Sequence, residues 1–259
     1  MEVIKPEFIE NVNAESMDVA LNKVPGLNIA DGQASIRGGG GYSYGAGSRV
    51  LLLVNDLPLI SPDAGDIKWN FIPLENIEQV EIIKGASSAL YGSSALNGVI
   101  NVRTSNPGLI PETKINFYTG LYTTPKREEL KWWGDKKLFY SATSFSHSRI
   151  IGNTDLIVGS NLFHDPGYRT DNSEDRVRAN MTLNHRSQII KGLSYGISTN
   201  YMYQDKTDFL LWKNAQQGAY TQFQDAISPS TGIRLTIDPF INLLNENGNK
   251  HSIKSRYFK

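Results

Sequence analysis

The second half of this 259-residue chain alternates apolar and polar residues, and this alternation constrains the fold more than any other feature. Residues 176–186 read R-V-R-A-N-M-T-L-N-H-R, and residues 193–203 read L-S-Y-G-I-S-T-N-Y-M-Y. Because successive side chains of a strand point to opposite faces, a period of two indicates β-strands with one apolar and one polar face. In the first segment, one face of the strand carries Val177, Ala179, Met181 and Leu183. The other face carries Arg178, Asn180, Thr182 and Asn184.

Seven such strands are predicted in the second half of the chain. They cover residues 114–123, 138–148, 154–164, 176–186, 193–203, 233–243 and 250–259. Each has about ten residues, the length with which a tilted strand crosses a bilayer. Strands of a soluble β-sandwich also alternate, but they are usually nearer to about five or six residues.

The connections between these predicted strands alternate between long and short. "TTPKREELKWWGDK" is long, "RIIGN" is short, "DPGYRTDNSED" is long and "SQIIKG" is short. Short turns at one end with longer loops at the other are typical of outer-membrane barrels. These features favour a membrane barrel and leave the soluble sandwich as the alternative.

Composition excludes several classes of function. Lysines and arginines number 26 against 26 aspartates and glutamates, so nothing points to a nucleic-acid-binding surface. Residues 1–110 carry 7 basic and 12 acidic side chains and residues 111–259 carry 19 and 14, which suggests two regions of different nature. There is no cysteine, and the four histidines show no ligand spacing, so no metal site is predicted.

The first region, up to about residue 108, is predicted to be a small α/β unit. Met17, Ala20, Leu21 and Val24 follow the spacing of a one-faced helix, with Asn13 as its N-cap and a Pro-Gly pair after it. Short strand candidates follow at residues 27–30, 34–37, 49–54, 79–84 and 99–104. The segment "GASSALYGSSALNG" at residues 85–98 is predicted to be a helical turn between loops.

The glycine-rich segment "SIRGGGGYSYGAG" at residues 35–47 does not match a nucleotide-binding loop. It lacks the lysine of a phosphate-binding loop and the register of G-x-G-x-x-G, and a β-type apolar run follows instead of a helix. "GASSA" at residues 85–89 misses the last glycine of a nucleophile elbow. Glu78 and Glu81 alternate with apolar residues on a strand and are predicted to be surface residues. No active site is predicted.

A resemblance to a known family connects the two regions. "ALNKVPGLNI", "SIRGG", "RVLLLVNDLPL" and "IPLENIEQVEIIKGASSALYGSSALNGVINVRT" closely resemble, in order and spacing, the plug domain of TonB-dependent outer-membrane receptors. The resemblance implies a plug domain at residues 1–108 and antiparallel transmembrane strands at 112–259, part of a barrel of about 22 strands. Seven strands cannot close such a barrel, so we expect a fragment with nearly all of the plug and the first third of the barrel.

The resemblance also implies function and partners. It implies a non-enzymatic receptor in the outer membrane of a Gram-negative bacterium, with the plug in the barrel lumen, that binds a scarce nutrient and imports it. TonB, energised by ExbB–ExbD, would pull on the plug through a box expected upstream together with a leader peptide. Outer-membrane lipid is an implied partner, a surface lipoprotein is a further candidate, and neither a cofactor nor nucleic acid is implied.

The resemblance places the candidate site residues in two groups. Loops at residues 38–47 and 61–70 would lie at the plug's apex and face the nutrient. The side chains predicted to contact ligand there are Tyr42, Tyr44, Asp63, Asp66, Lys68 and Trp69. Arg37 and Lys84 each end a strand before a glycine, and the resemblance implies that they latch the plug to barrel glutamates outside this chain. Lysine gives up the bidentate geometry of the arginine that is commoner in the family at the position of Lys84.

The sequence leaves the ligand and two other function classes open. Iron–siderophore complexes, haem, cobalamin and oligosaccharides all enter through this fold, and a fold does not determine its ligand. A signalling or ligand-displaying barrel without transport is the main alternative. A soluble β-rich binding protein is the third.

Overall fold

The structure is a computed structural model that describes residues 1–12, 14–30, 32–39, 49–61, 65–85, 87–216 and 218–259. The chain forms two compact units, Met1–Pro107 and Gly108–Lys259. The first is a mixed α/β unit and the second is an antiparallel sheet. This combination confirms the predicted fold class.

The first unit is built on a five-stranded sheet with the order β1-β6-β7-β4-β5, and β2 and β3 pair as a separate antiparallel hairpin. The strands are β1 (Glu2–Ile4), β2 (Leu27–Ala30), β3 (Gln33–Ile36), β4 (Val50–Val54), β5 (Leu57–Pro58), β6 (Ile77–Lys84) and β7 (Gly98–Thr104). The five predicted strands are confirmed, while β1 and β5 were not predicted. β4 and β7 pair in parallel at the centre of the sheet, and every residue of β4 is buried. Burial on both faces explains why "VLLLV" is continuously apolar.

Three short helices accompany this sheet: α1 (Pro6–Asn11), α2 (Met17–Leu21) and α3 (Ser88–Tyr91). The predicted one-faced helix is α2, whose Met17, Ala20 and Leu21 are buried. The predicted cap, Asn13, lies outside the described residues, and the residue that precedes the helix is Ser16. α1 was not predicted, and α3 is the expected turn.

The second unit is one antiparallel sheet in which each strand pairs with its neighbour in sequence. Its strands are β8 (Glu112–Leu121), β9 (Phe139–Ile151), β10 (Thr154–Asp165), β11 (Glu174–Arg186), β12 (Leu193–Asp208), β13 (Ser228–Leu244), β14 (Lys250–Lys254) and β15 (Tyr257–Phe258). Seven strands were predicted, and the seventh is present as β14 and β15, which both pair with β13.

The interruption between β14 and β15 has a local cause on β13. The Ser255 N–H donates to the Pro239 carbonyl at 3.1 Å, but proline has no N–H to return to Ser255. Beside this lost bond, Arg256 makes a two-point ion pair with Asp238, with Nε at 2.8 Å from Oδ1. A missing ladder bond and a strong side-chain pair together explain why the strand is broken here.

The register gives this sheet one apolar and one polar face. Leu156, Leu183 and Ile197 stand opposite one another on the apolar face. On the polar face, Thr182 lies opposite Ser198, and their hydroxyl oxygens are 2.7 Å apart. Large apolar side chains on the first face are exposed, among them Ile115, Phe117, Val177, Met181, Tyr201, Tyr203, Ile241 and Ile253. The faces that the sequence pattern predicted are confirmed.

The connections also follow the prediction. Residues 152–153, 187–192 and 245–249 are short turns at one end of the sheet, whereas residues 122–138, 166–173 and 209–227 are long loops at the other end. Among the helices within the described ranges, none has the length and apolar character required to cross a membrane.

Candidate functional site

The two predicted apical loops, residues 38–47 and 61–70, are described in part. Tyr42, Tyr44 and Asp63 lie outside the described residues, and their contacts with a nutrient stay predictions. The other five predicted site residues are described. Asp66, Lys68 and Trp69 lie in the second loop, Arg37 follows the end of β3, and Lys84 ends β6.

Asp66 and Lys68 lie in the described part of the second loop and form an ion pair with each other. The Asp66 N–H donates to the Ser61 Oγ at 3.0 Å, and the Ser61 N–H donates to the Asp66 carbonyl at 2.9 Å. Both side chains of the pair remain partly exposed, at 35% for Asp66 and 45% for Lys68. A fixed and accessible pair of opposite charges can offer both a donor and an acceptor to a polar solute.

Trp69 takes a different position from its neighbours in this loop. Its side chain is buried, with 4% of the residue exposed, and its Nε1–H donates to the Gly32 carbonyl at 2.8 Å. The indole therefore connects the second loop to the β2–β3 hairpin. Contact between Trp69 and a ligand stays a prediction, and it requires exposure of a ring that packs within this unit.

Arg37 and Lys84 flank the same glycine. A Cβ placed on Gly26 would lie 3.9 Å from the Arg37 Cγ and 4.0 Å from the Lys84 Nζ. The Arg37 N–H donates to the Gly26 carbonyl at 2.8 Å, and Arg37 has a φ of 53°. Its side chain is exposed and forms no ion pair with any residue that the structure describes. The structure thus brings the two predicted latch residues together, and their attachment to barrel glutamates stays a prediction.

Lys84 also has partners inside its own unit, which the sequence did not predict. Its Nζ forms an ion pair with Glu2 and donates to the Pro25 carbonyl at 2.8 Å. The Lys84 side chain is only 17% exposed. These contacts join β1, the segment after α2 and the end of β6.

A second charged cluster lies across the same sheet. Arg103 forms ion pairs with Asp56 at 2.6 Å and Glu81 at 3.2 Å, and the Asn101 amide donates to Asp56 at 3.1 Å and to Glu81 at 3.3 Å. Burial lowers the pKa of Arg103, but hydrogen bonds to Asp56 and Glu81 and their charges outweigh it, so the pKa of Arg103 is raised. The prediction that Glu81 is a surface residue was wrong, because its side chain is largely buried in this cluster.

Three long loops of the second unit and the start of β9 share an aromatic cluster, which we name the tyrosine arc: Tyr140, Tyr122, Tyr168 and Tyr220. Ring centroids are 5.3 Å apart for Tyr140 and Tyr122, 5.9 Å for Tyr122 and Tyr168, and 5.3 Å for Tyr168 and Tyr220. These are distances at which aromatic pairs stabilise each other. All four residues are half-buried, so part of each side chain remains accessible.

Hydrogen bonds strengthen the connection between the loops. The Tyr122 hydroxyl donates to the Asp165 carboxylate, with distances of 3.0 and 2.9 Å to its two oxygens. The Trp132 Nε1–H donates to the Tyr168 carbonyl at 2.9 Å, and the Thr170 N–H donates to the Tyr220 carbonyl at 2.9 Å. The three long loops thus form one connected surface.

Arg169 lies beside the tyrosine arc between two aromatic rings. Its Cζ is 4.9 Å from the centroid of Tyr168 and 4.7 Å from that of Phe209, distances of cation–π contact. The residue is half-buried. Within the described part of the chain, its guanidinium has no ion pair or hydrogen bond to another residue.

The polar face of the sheet carries a chain of hydrogen bonds below these loops. Glu174 accepts from Arg176 at 2.6 Å and from the Gln204 amide at 2.9 Å, and Arg234 donates to Gln204 at 3.2 Å. Arg176 also lies over the ring of Phe163 at 4.7 Å. The charged and amide groups of this chain of hydrogen bonds are therefore paired with one another, as polar groups removed from bulk water usually are. Across the described ranges, no group of three or more His, Cys, Asp or Glu side chains is arranged to hold a metal ion.

Comparison with known families gives a match to the first unit. Residues 1–99 match the family model described as the TonB-dependent Receptor Plug Domain. Among curated proteins, the chain is 38% identical over 104 residues to the vitamin B12 transporter BtuB of Vibrio vulnificus strain CMCP6. That alignment covers 40% of this chain and 17% of the transporter.

Comparison with solved structures extends the similarity to both units. The siderophore receptor PirA of Pseudomonas aeruginosa matches 99% of this chain with a TM-score of 0.70 at 16% identity. The ferric yersiniabactin uptake receptor FyuA of Yersinia pestis matches 95% with a TM-score of 0.67 at 17% identity. The matches cover 40% and 38% of those two proteins, so the chain spans less than half of each. At these identities they show a shared fold.

Proposed function

Since this chain belongs to the TonB-dependent receptors, we propose that its protein binds a scarce nutrient at the outer surface and imports it by TonB-driven active transport. The observation that carries the proposal is that one chain contains both a plug domain and a sheet with one apolar and one polar face. The plug matches the family model over residues 1–99, and the sheet has an apolar face, a polar face and long loops at one end.

The apolar face is proposed to contact the lipid of a Gram-negative outer membrane. A soluble protein rarely exposes a continuous apolar face of this kind to water. Lipid can cover such a face without burying unpaired polar groups. The polar face, with its chain from Arg176 to Arg234, would line an aqueous lumen. We propose that residues 112–259 belong to a barrel of about 22 strands and that residues 1–108 plug its lumen.

The nutrient is proposed to contact the apical loops of the plug and the long loops of the barrel. On the plug, the candidates are Tyr42, Tyr44, Asp63, Asp66, Lys68 and Trp69. Asp66 and Lys68 are supported by their partial exposure and by the ion pair between them. The similar proteins include a vitamin B12 transporter and a ferric yersiniabactin uptake receptor, so cobalamins and ferric siderophores are the first ligands to test.

Energy is proposed to come from TonB with ExbB–ExbD, acting through a segment on the N-terminal side of the plug. β1 is at the edge of the plug sheet and is the first strand of the described chain. Arg37 and Lys84 would hold the plug to glutamates of the barrel wall, and a surface lipoprotein is a further candidate partner. The proposal assigns no enzymatic reaction to the protein, in line with a family of transporters and receptors.

Membrane fractionation and uptake together test this function. The complete receptor, expressed in an outer-membrane host, is expected in the outer-membrane fraction and to accumulate labelled cyanocobalamin or a ferric siderophore only when TonB is present. Binding without TonB-dependent uptake would favour a signalling or displaying receptor. Recovery in the soluble periplasm would contradict both.

A further inference from the structure

Arg169 is a cation held in place by aromatic rings while its hydrogen-bond donors remain available. The guanidinium lies between Tyr168 and Phe209, which come from two different long loops. Within the described part of the chain, it has neither a carboxylate nor a carbonyl partner. The nearby carboxylate of Asp165 is already bound by the Tyr122 hydroxyl and by the Gly167 N–H at 2.8 Å.

The chemistry of this arrangement favours an anion. A guanidinium is always charged, and its planar set of donors matches a pair of oxygens on one group. Contact with two aromatic rings restricts the side chain without using its N–H groups, so less conformational freedom is lost when a ligand binds. The side chains of the adjoining tyrosine arc are partly exposed, and aromatic side chains can stack on a flat ring.

We propose that Arg169 determines ligand specificity and selects a solute with two anionic oxygens on a flat ring, as in a catecholate. This inference rests on the proposed function and narrows it, because it disfavours uncharged oligosaccharides and cyanocobalamin, which has no net charge. Arg169 binds the oxygen pair, and Tyr168 and Tyr220 contact the ring beside it.

A purely structural role for Arg169 makes a different prediction. If the cation only braces Tyr168 against Phe209, its removal disturbs the loops and weakens every ligand to a similar extent. Phe209→Leu separates the two roles, since it removes one side of the brace and keeps the charge. Arg127→Gln is a matched control on another long loop, where Arg127 donates to the Ala215 carbonyl at 2.9 Å.

The experiment measures equilibrium binding to the complete, detergent-purified receptor with three probes: the ferric complex of a tris-catecholate chelator, cyanocobalamin and maltohexaose. The wild type is expected to bind the ferric catecholate most tightly, and Arg169→Gln to weaken that binding by about tenfold or more, as for a lost charge-assisted pair. Phe209→Leu and Arg127→Gln are expected to change it by less than about threefold, within the range of exposed side-chain contacts. Higher salt should weaken the wild type more than Arg169→Gln.

Three results would overturn the inference: no binding of the ferric catecholate by the wild type, unchanged affinity in Arg169→Gln, or an equal loss for charged and uncharged probes. The proposed function is tested apart from it by uptake. TonB-dependent uptake of an uncharged probe would keep the receptor function while the inference about Arg169 fails.

Discussion

Lys84 forms an ion pair with Glu2, and this contact attaches the first strand of the plug to the end of β6. The pair adds to a short ladder in which Glu2, Val3 and Ile4 lie opposite Ile82, Glu81 and Val80. Because β1 is an edge strand, it is held to the sheet from one side only. Lys84 also donates to the Pro25 carbonyl, so one ammonium group joins three segments.

Glu2→Gln is expected to loosen β1 without unfolding the plug. Glu2 is partly exposed, so the loss should be below about 1 kcal/mol and appear as up to about fivefold faster exchange of the β1 amides that bond to β6. Hydrogen–deuterium exchange of the complete receptor measures this. Glu78→Gln, an exposed residue on β6, is the control. Equal exchange in all three proteins would show that the ion pair does not hold the strand.

Arg103→Met is expected to destabilise the plug by about 2 kcal/mol, because it leaves Asp56 and Glu81 as neighbouring carboxylates without their cation. Denaturant unfolding followed by plug-specific amide exchange measures the change. Arg49→Met removes an exposed arginine from the same unit and should have little effect. A loss no larger than that of Arg49→Met would mean that the cluster contributes little.

Gly98→Ala is expected to disrupt the plug, because Gly98 has a φ of 148° and no room for a side chain. A Cβ there would lie 2.3 Å from the Ile83 carbonyl oxygen and 2.7 Å from the Ile36 Cδ1. We expect a loss of more than about 3 kcal/mol from the clash and the backbone strain together.

Gly85→Ala isolates the contribution of strain to this effect. Gly85 has a φ of 133°, and a Cβ there meets no atom within 4 Å among the described residues. Its cost should therefore be smaller, about 1–2 kcal/mol, by the same unfolding measurement. Equal losses for the two variants would contradict the assigned clash at Gly98.

Trp69→Phe tests whether the indole has a structural or a ligand-binding role. Phenylalanine keeps a buried ring but leaves the Gly32 carbonyl without its donor, which should cost about 1–2 kcal/mol of plug stability. Thermal unfolding and nutrient binding are measured on the same preparation. Lost binding at unchanged stability would instead support the predicted ligand contact. Lys68→Gln is the reciprocal control: because Lys68 is exposed, its replacement should leave the stability of the plug unchanged.

Local patterns in the sequence predicted much of the fold because they follow from local physics. The period of two in residues 176–186 identifies a two-faced strand, and the spacing of Met17, Ala20 and Leu21 identifies α2. The β1 strand was missed because "EVI" has only three residues, too few to show a period. Its position depends on pairing with β6, about 80 residues away along the chain.

The functional contacts were harder to predict because they join distant segments. Nothing near Lys84 in sequence indicates Glu2 as its partner, and the ion pair exists because the sheet places β1 beside β6. The tyrosine arc left a weak signal: Tyr122, Tyr168 and Tyr220 each fall in a long loop, and all such loops meet at one end of an antiparallel sheet. The aromatic character of the loops was visible in the sequence, whereas the cation between Tyr168 and Phe209 required the structure.

The most direct test of the account measures which solvent each face of β11 contacts. The chain has no cysteine, so single cysteines at positions 177–184 can each carry a nitroxide spin label in the complete receptor in lipid vesicles. We predict that labels replacing Val177, Ala179, Met181 and Leu183 collide mainly with oxygen dissolved in lipid. Labels replacing Arg178, Asn180, Thr182 and Asn184 are expected to be reached by a water-soluble nickel complex or to be shielded from both agents. Equal access of the nickel complex at all eight positions would contradict a lipid-facing wall.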